Sequence, residues 1–282
     1  MRLDYRLVFS ALGLSVLLLF VLELLLPWRR QQKHLRPQLG LDLFYTFAQK
    51  PLFYALLGTA LVGISDFLFR DMLLGSFGLD NWVAIELNNL PQWSQYLLLF
   101  LLVDFLGYWG HRVLHASNVL WRLHQVHHST MQIDVFNGIR QHIGEDLFYR
   151  MFQYLPLGLF GFSVTETFLV ALVQSFFSSF THANVRLKLG PLKYLFNNPE
   201  LHIWHHSRIE GRGNVNFGDA LSCWDFIFGT GYAPREEQGI TEEFDGSDLQ
   251  LGFDGVEQYP RGYFGQLVAP FKPAQRKLPV TD

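Results

Sequence analysis

The sequence has almost no cysteine. Its 282 residues include one cysteine, Cys223, and no Cys-x-x-Cys pair. A single thiol cannot form an internal disulfide, and it cannot supply the ligands of a zinc-thiolate site or an iron–sulfur cluster. Any metal ion bound by this chain must therefore be held by nitrogen and oxygen atoms.

Charged residues are also scarce. They make up 17% of the chain, while 49% of the residues are hydrophobic; about 25% charged residues is usual in soluble domains. No basic face with interleaved aromatic residues is present, so we expect no nucleic-acid partner. The composition predicts a membrane protein.

Several common catalytic motifs are absent from the sequence. It has no His-Glu-x-x-His metalloprotease motif, no Gly-x-Ser-x-Gly elbow, no Walker loop and no Rossmann glycine fingerprint. The chemistry of the chain must rest on other residues.

Long apolar runs predict four or five membrane spans. The first run ends without a small-residue cleavage site, so we expect a retained anchor and not a signal peptide. The last run is long enough for two crossings, with a break near Gly158 to Ser163. The runs are about Leu7 to Trp28, Pro51 to Phe69, Trp93 to Trp109 and Leu147 to Phe180.

Basic residues in short loops predict the orientation of these spans. The loop after the first run contains Arg29, Arg30, Lys33 and Arg36, whereas the loop from Asp71 to Gln92 contains no Lys or Arg. We expect the first loop to be cytoplasmic. The third span and the last one then both return to the cytoplasm just before histidine motifs.

The predicted fold is all-α, an integral-membrane helical bundle of four or five spans with a cytoplasmic helical cap that carries the histidines. We expect a single membrane domain over residues 1–282. Residues 1–92 would form the membrane anchor region, residues 93–230 the histidine-rich core and residues 231–282 a cytoplasmic tail.

Ten of the eleven histidines lie in the core region. On a helix, residues three or four positions apart share a face, so each short group can direct several imidazoles at one ion. Neutral imidazole binds iron, zinc, copper or nickel, and this number of ligands suits two ions. The predicted ligands are His111, His115, His124, His127, His128, His142, His182, His202, His205 and His206.

Asp104, Tyr108, His111 and His115 follow one another at helical spacing and share one face. Asp104 lies within an apolar run and should face protein. It can accept the free ring N–H of a ligand histidine, as carboxylates behind metal ligands commonly do. The alternative is a buried aspartate that bonds only to a neighbouring helix.

Two other functions remain open on these residues. A haem-binding membrane electron carrier needs one or two axial histidines per haem, which leaves most of the histidines without a role. A non-catalytic membrane metal-binding protein, such as a store or transporter, would use the ligands without oxidising a substrate.

The ordered motifs resemble those of the fatty acid hydroxylase/sterol desaturase superfamily of membrane di-metal oxygenases. The likeness extends over about Leu97 to Thr230. Members commonly have Pro where this chain has Ile143, and an acidic residue where it has Asn214. The matching segments are HRVLH from His111, WRLHQVHHS from Trp121, HIWHHS from His202, NVNFG from Asn214, LSCWDFIFGT from Leu221, HAN from His182, and His142 with Glu145.

This resemblance implies two iron ions, for which zinc can substitute in a purified sample. It implies O2-dependent hydroxylation or desaturation of a C–H bond in a membrane lipid such as a sterol or fatty acyl chain. An external ferredoxin or cytochrome with its reductase would supply electrons. The residues expected to support the ligands are Asp104, Glu145, Asn184 and Asn216.

Overall fold

The computed structural model describes residues 5–33, 35–53, 60, 63–64, 66–78, 89–160, 162, 164–209, 213–233 and 249–272. Within these ranges the regular secondary structure is helical, and two isolated bridges, Pro27 with Val185 and Ser207 with Leu251, are the extent of β pairing. The all-α prediction is confirmed for the described residues.

The helices are named in chain order. Short 3₁₀ or π-helical segments join several of them, including Tyr45–Gln49, Asp66–Leu74, His127–Ser129, Leu155–Phe160 and Gly190–Tyr194. The α-helices are α1 (Tyr5–Leu25), α2 (Leu39–Phe44), α3 (Lys50–Phe53), α4 (Gln92–Ala116), α5 (Asn118–His124), α6 (Ile143–Tyr154), α7 (Val164–His182), α8 (Pro199–His205), α9 (Cys223–Ile227) and α10 (Tyr263–Val268).

Helix α4 lies at the centre of the packing and contacts α5, α6 and α7. Leu99 and Val103 of α4 are fully buried in one apolar cluster with Tyr154 and Val170. In a membrane-spanning helix such contacts stabilise the packing through van der Waals interactions. This cluster fixes the position of α4, whose last turn carries the first histidine motif.

Among the described residues, α4 is the helix that is long and apolar enough to cross a membrane, and a shorter apolar stretch covers Gly13–Leu25. Helix α4 contains the predicted third span. Much of the predicted second span lies outside the described residues. In the last apolar run, the 3₁₀ segment Leu155–Phe160 separates α6 from α7, close to the predicted break.

Glu23 joins the end of α1 to the histidine-rich region. Its Oε1 accepts hydrogen bonds from the backbone N–H groups of Val135 (2.8 Å) and Asn184 (2.6 Å). Asn184 lies two residues after the predicted ligand His182. The one acidic residue of the first apolar run is therefore buried against protein.

A buried ionic network makes a second connection between the N-terminal region and the core. Arg36 donates to Asp134 at 2.6 Å and also pairs with Asp42, and Arg140 donates to Asp42 at 2.9 Å. Arg140 is completely buried. Burying a charge is costly unless it is paired, and each of these charges has an opposite partner.

Candidate metal centre

Nine of the ten predicted histidines lie in two adjacent groups. In each group, one ring nitrogen per residue lies within 4.8 Å of those of all the other members. The rings of His128 and His206, one from each group, stack with centroids 4.4 Å apart. Group A consists of His111, His115, His124, His128 and His205, and group B consists of His127, His182, His202 and His206.

Four helix ends bring these side chains together. His111 and His115 lie on the last turns of α4, His124 ends α5, His182 ends α7, and the last motif occupies the end of α8. Two of these helices begin at residues whose side chains cap the helix N-terminus. The Ser117 side chain caps α5, while Asn198 accepts a hydrogen bond from Leu201 N at the start of α8, where Pro199 occupies the first turn.

Each His-x-x-His-His motif contributes to both groups. In the second motif, His124 and His128 belong to group A and His127 belongs to group B. In the last motif, His205 belongs to group A, whereas His202 and His206 belong to group B. Residues four apart share a face more closely than adjacent residues do. The motifs thus join the two groups in sequence as well as in space.

His182 lies at the centre of group B. Its Nε2 is 3.2 Å from His127 Nε2, 3.1 Å from His206 Nε2 and 3.0 Å from His202 Nε2. Its Nδ1 donates to the carbonyl oxygen of Ser178 at 2.7 Å. The ring proton is therefore on Nδ1, and the Nε2 lone pair faces the three other imidazoles.

Group A shows the same arrangement around His124. Its Nε2 lies 3.1 Å from His111 Nε2 and 3.2 Å from His128 Nε2. His111 Nδ1 donates to Phe217 O at 2.8 Å, and His205 Nδ1 donates to Val215 O at 2.9 Å. Oxygen acceptors on the outside of the group thus direct bare Nε2 atoms inward.

These donor sets fit metal ions. A metal–nitrogen bond of about 2.1 Å places adjacent ligands about 3.0 Å apart in octahedral and about 3.4 Å apart in tetrahedral geometry. Four of the Nε2 pairs of group B are separated by 3.0–3.2 Å. Burial and the neighbouring imidazoles lower the pKa values of His128 and His206 well below the usual value, so these rings stay neutral. Neutral rings with converging lone pairs are suitable ligands for a cation.

His142 is outside both groups. Its Nε2 contacts the carbonyl oxygen of Leu267 at 3.0 Å, and its Nδ1 accepts a hydrogen bond from Gly144 N at 2.9 Å. Both ring nitrogens are therefore engaged at the start of α6. The structure does not bring His142 to the other nine histidines.

The four predicted supporting residues have different positions. Glu145 contacts a ligand directly, since its Oε1 accepts from His124 Nδ1 at 2.8 Å. Asp104 accepts instead from Trp224 Nε1 (2.9 Å), from two backbone N–H groups and from Gln174 Nε2. It corresponds to the alternative of a buried aspartate without a histidine partner. The Asn184 side chain accepts from Arg29 N at 2.8 Å and supports the end of α1.

Asn216 acts through its neighbours in the chain. It has a φ of 56°, and its side chain donates to Leu201 O and Tyr232 O and accepts from Tyr232 N. The residues on either side, Val215 and Phe217, supply the carbonyl groups that bind His205 and His111. Asn216 therefore shapes the loop that orients two group A ligands.

Sequence reasoning missed two residues that support the site. Asp225 accepts hydrogen bonds from Phe217 N and Gly218 N. The carbonyl oxygen of Arg140 accepts a hydrogen bond from His127 Nδ1, and its guanidinium donates hydrogen bonds to Val126 O and Ser129 Oγ. Asp225 lies within a segment that matched the family pattern, whereas Arg140 had no local signal.

A cavity of about 590 Å³, including space open to solvent, lies against both groups. Burial and the carboxylate of Asp104 raise the pKa of Asp219 in its wall to about 7, while Arg150 and Lys50 oppose the increase. The histidines in the wall are His111 and His124 of group A and His127, His182 and His202 of group B.

Comparison with known proteins gives consistent matches. Residues 96–230 match the family model for fatty acid hydroxylase. The ornithine lipid hydroxylase OlsE of Rhizobium tropici is 33% identical over 187 residues, which cover 66% of this chain and 53% of that protein. The alkylglycerol monooxygenase of Xenopus tropicalis is 28% identical over 225 residues, which cover 78% of this chain and 46% of that protein. The Homo sapiens alkylglycerol monooxygenase is 35% identical over 173 residues, which cover 60% of this chain and 38% of that protein.

The family-model match and these relatives support the fatty acid hydroxylase superfamily, which the histidine motifs resemble. These relatives are named as a lipid hydroxylase and as monooxygenases, which are oxidoreductases. The chain spans about half the length of the first relatives described here. No solved structure matches it.

Proposed function

We propose that the chain hydroxylates a C–H bond of a membrane lipid with O2, using one iron ion in group A and one in group B. The supporting observation is that nine imidazoles, eight of them buried, converge into two adjacent groups, and that outward nitrogens in both groups donate to oxygen acceptors. When bound, the ions would supply the activation of O2. Overall, R–H, O2, two electrons and two protons give R–OH and water.

The protein's own residues position and enclose the reaction. The cavity borders both groups, so a substrate carbon bound there would lie beside both sets of ligands. Carbonyl or carboxylate oxygens orient five of the imidazoles through Nδ1, those of His111, His124, His127, His182 and His205. An external ferredoxin or cytochrome with its reductase would provide the electrons.

The membrane arrangement is part of the same proposal. Helix α4 would cross the bilayer as one of four or five spans and bring His111 to the cytoplasmic side. The motifs at the ends of α7 and α8 would lie on that side too. A lipid would then enter the cavity from the membrane.

The geometry disfavours a haem carrier. Haem uses one or two axial ligands on opposite faces of a flat macrocycle, and Nε2 atoms 3.0–3.2 Å apart leave no room for one between them. A metal store would bind ions in the same groups but would leave lipids unchanged. These alternatives give different spectroscopic and chemical results.

The test compares lipid extracts from cells that express the wild-type chain with extracts from cells that express His205→Ala. We expect a lipid whose mass increases by one oxygen only with the wild type, together with bound iron and no Soret band in the purified protein. Bound metal without any altered lipid would support the store and contradict the hydroxylase. A Soret band would support the haem carrier.

A further inference from the structure

The wall of the cavity contains many polar side chains. Most ligand pockets are lined by apolar side chains with a few polar groups. Besides the five histidines, this wall contains Gln174, Asp219, Lys50 and Arg150, and its aliphatic side chains are those of Leu114 and Ile139. Such a wall suits a polar group better than the middle of a hydrocarbon chain.

Gln174 offers this cavity a hydrogen-bond acceptor. Its side-chain nitrogen donates to Asp104 Oδ1 at 3.2 Å, whereas its Oε1 is buried and has no hydrogen-bond partner. The residue is 2% exposed. A buried acceptor without a partner is costly, and a bound ligand that donates to it would remove that cost.

Asp104 determines which way the Gln174 amide points. Its carboxylate accepts from Trp224 Nε1 and from the backbone N–H groups of Ala220 and Leu221, so it is fixed in place. A carboxylate accepts hydrogen bonds and can bond only to the NH2 end of the amide. The carbonyl end of Gln174 is therefore the part that remains for a ligand.

The two cations in the wall already have partners in the protein. Lys50 pairs with Asp146 and also donates to Gln141, and Arg150 donates to Gln153 Oε1 at 2.7 Å. They are therefore less suited to bind an anionic headgroup. The acceptors Gln174 and Asp219 favour a ligand that donates hydrogen bonds.

We propose that the cavity binds the polar end of the lipid through a hydroxyl or ammonium group that donates to Gln174 Oε1 and to Asp219. This inference rests on the proposed hydroxylase function. It places the oxidised C–H bond near the headgroup and not in the middle of an acyl chain. Gln174 and Asp219 then determine specificity, and Asp104 positions Gln174.

The experiment uses two pairs of probes with the full chain loaded with metal. One pair is a 1-O-alkylglycerol and its di-O-methyl ether, and the other is an ornithine-headed lipid and its trimethylammonium derivative. Binding is measured by competition with a fluorescent lipid, and oxidation is measured by mass. We expect the donor-bearing member of one pair to bind about tenfold more tightly than its methylated partner.

Substitutions test which residues cause the tighter binding of the donor-bearing probe. Gln174→Met should remove most of the tenfold difference and leave the metal content unchanged, while Gln258→Met, at an exposed position, should behave as wild type. If Gln174→Met fails to fold, Asp219→Asn serves instead, and it should weaken binding of the ammonium probe more than that of the hydroxyl probe. A preference for the first pair identifies a hydroxyl donor, and a preference for the second identifies an ammonium donor.

The two proposals fail in different ways. Equal binding of both members in both pairs, or an unchanged preference in a folded Gln174→Met protein, would overturn the headgroup proposal even if lipids are oxidised. If the metal-loaded wild type binds donor-bearing probes selectively but oxidises no lipid in the presence of reductant and O2, the headgroup proposal stands and the hydroxylase proposal fails.

Discussion

The carboxylate of Asp225 accepts a hydrogen bond from the backbone N–H of Phe217 at 2.7 Å, and the carbonyl of Phe217 in turn accepts one from His111 Nδ1 at 2.8 Å. Asp225 also accepts from Gly218 N and Thr230 Oγ1. One carboxylate therefore fixes the loop that orients a group A ligand.

Asp225→Asn should loosen this loop, because an amide can accept with only one of its two ends. We expect a loss of about 1–3 kcal/mol in the free energy of unfolding and about tenfold weaker metal binding in group A. Thermal melts and metal titration measure the two effects. Asp254→Asn, an exposed substitution, is the control. Wild-type values for Asp225→Asn would show that the loop is held by other contacts.

His182 and His142 form a matched pair for testing the ligand assignment. His182 Nε2 lies among three other imidazole nitrogens, whereas both ring nitrogens of His142 bond elsewhere. His182→Ala should lose the ion of group B, and His142→Ala should keep both ions. Metal analysis by mass spectrometry gives the stoichiometry. Loss of an ion from His142→Ala alone would contradict the assignment.

Two substitutions of Asn216 can distinguish the effect of its backbone conformation from that of its side-chain hydrogen bonds. Its φ of 56° lies in the left-handed region, where an L-residue other than Asn or Asp costs about 1–2 kcal/mol relative to glycine. Asn216→Gly removes only the side-chain hydrogen bonds, while Asn216→Ala also adds this strain. We expect Asn216→Ala to melt at a lower temperature than Asn216→Gly, with both below wild type. Equal melting temperatures would mean that the backbone relaxes.

The motif spacing predicted eight of the nine grouped histidines, because residues three and four apart on a helix project from one face. His182 stands alone in the sequence, and the family resemblance indicated it. The spacing did not predict how each motif divides between the two groups, since that depends on how α4, α5, α7 and α8 pack. His142 lies apart from both groups. Its position in the sequence fits a ligand, but Leu267 and Gly144 engage its ring in the fold.

Charges near the spans also had roles that their sequence positions did not reveal. Arg36 contributed to the predicted orientation, yet it is buried between Asp42 and Asp134. Glu23, the acidic residue within the first apolar run, accepts hydrogen bonds from the backbone N–H groups of Val135 and Asn184. Asp134 is 98 residues from Arg36. Val135 and Asn184 are 112 and 161 residues from Glu23. Pairings over such distances cannot be read from local patterns.

Asp219 should make the stability of the protein depend on pH. Burial, with help from Asp104, raises its pKa from 3.8 to about 7, while Arg150 and Lys50 oppose the increase. The folded state therefore holds this proton more tightly than the unfolded chain, so the contribution of Asp219 to stability falls as pH rises from about 4 to about 7. Asp219→Asn carries no charge at any pH and avoids the cost of ionising in the cavity wall. The variant should melt above wild type at pH 8, with a difference that shrinks towards pH 5. Thermal melts of both proteins across this range test the sign, and a difference that is constant with pH would show that Asp219 does not titrate in this window.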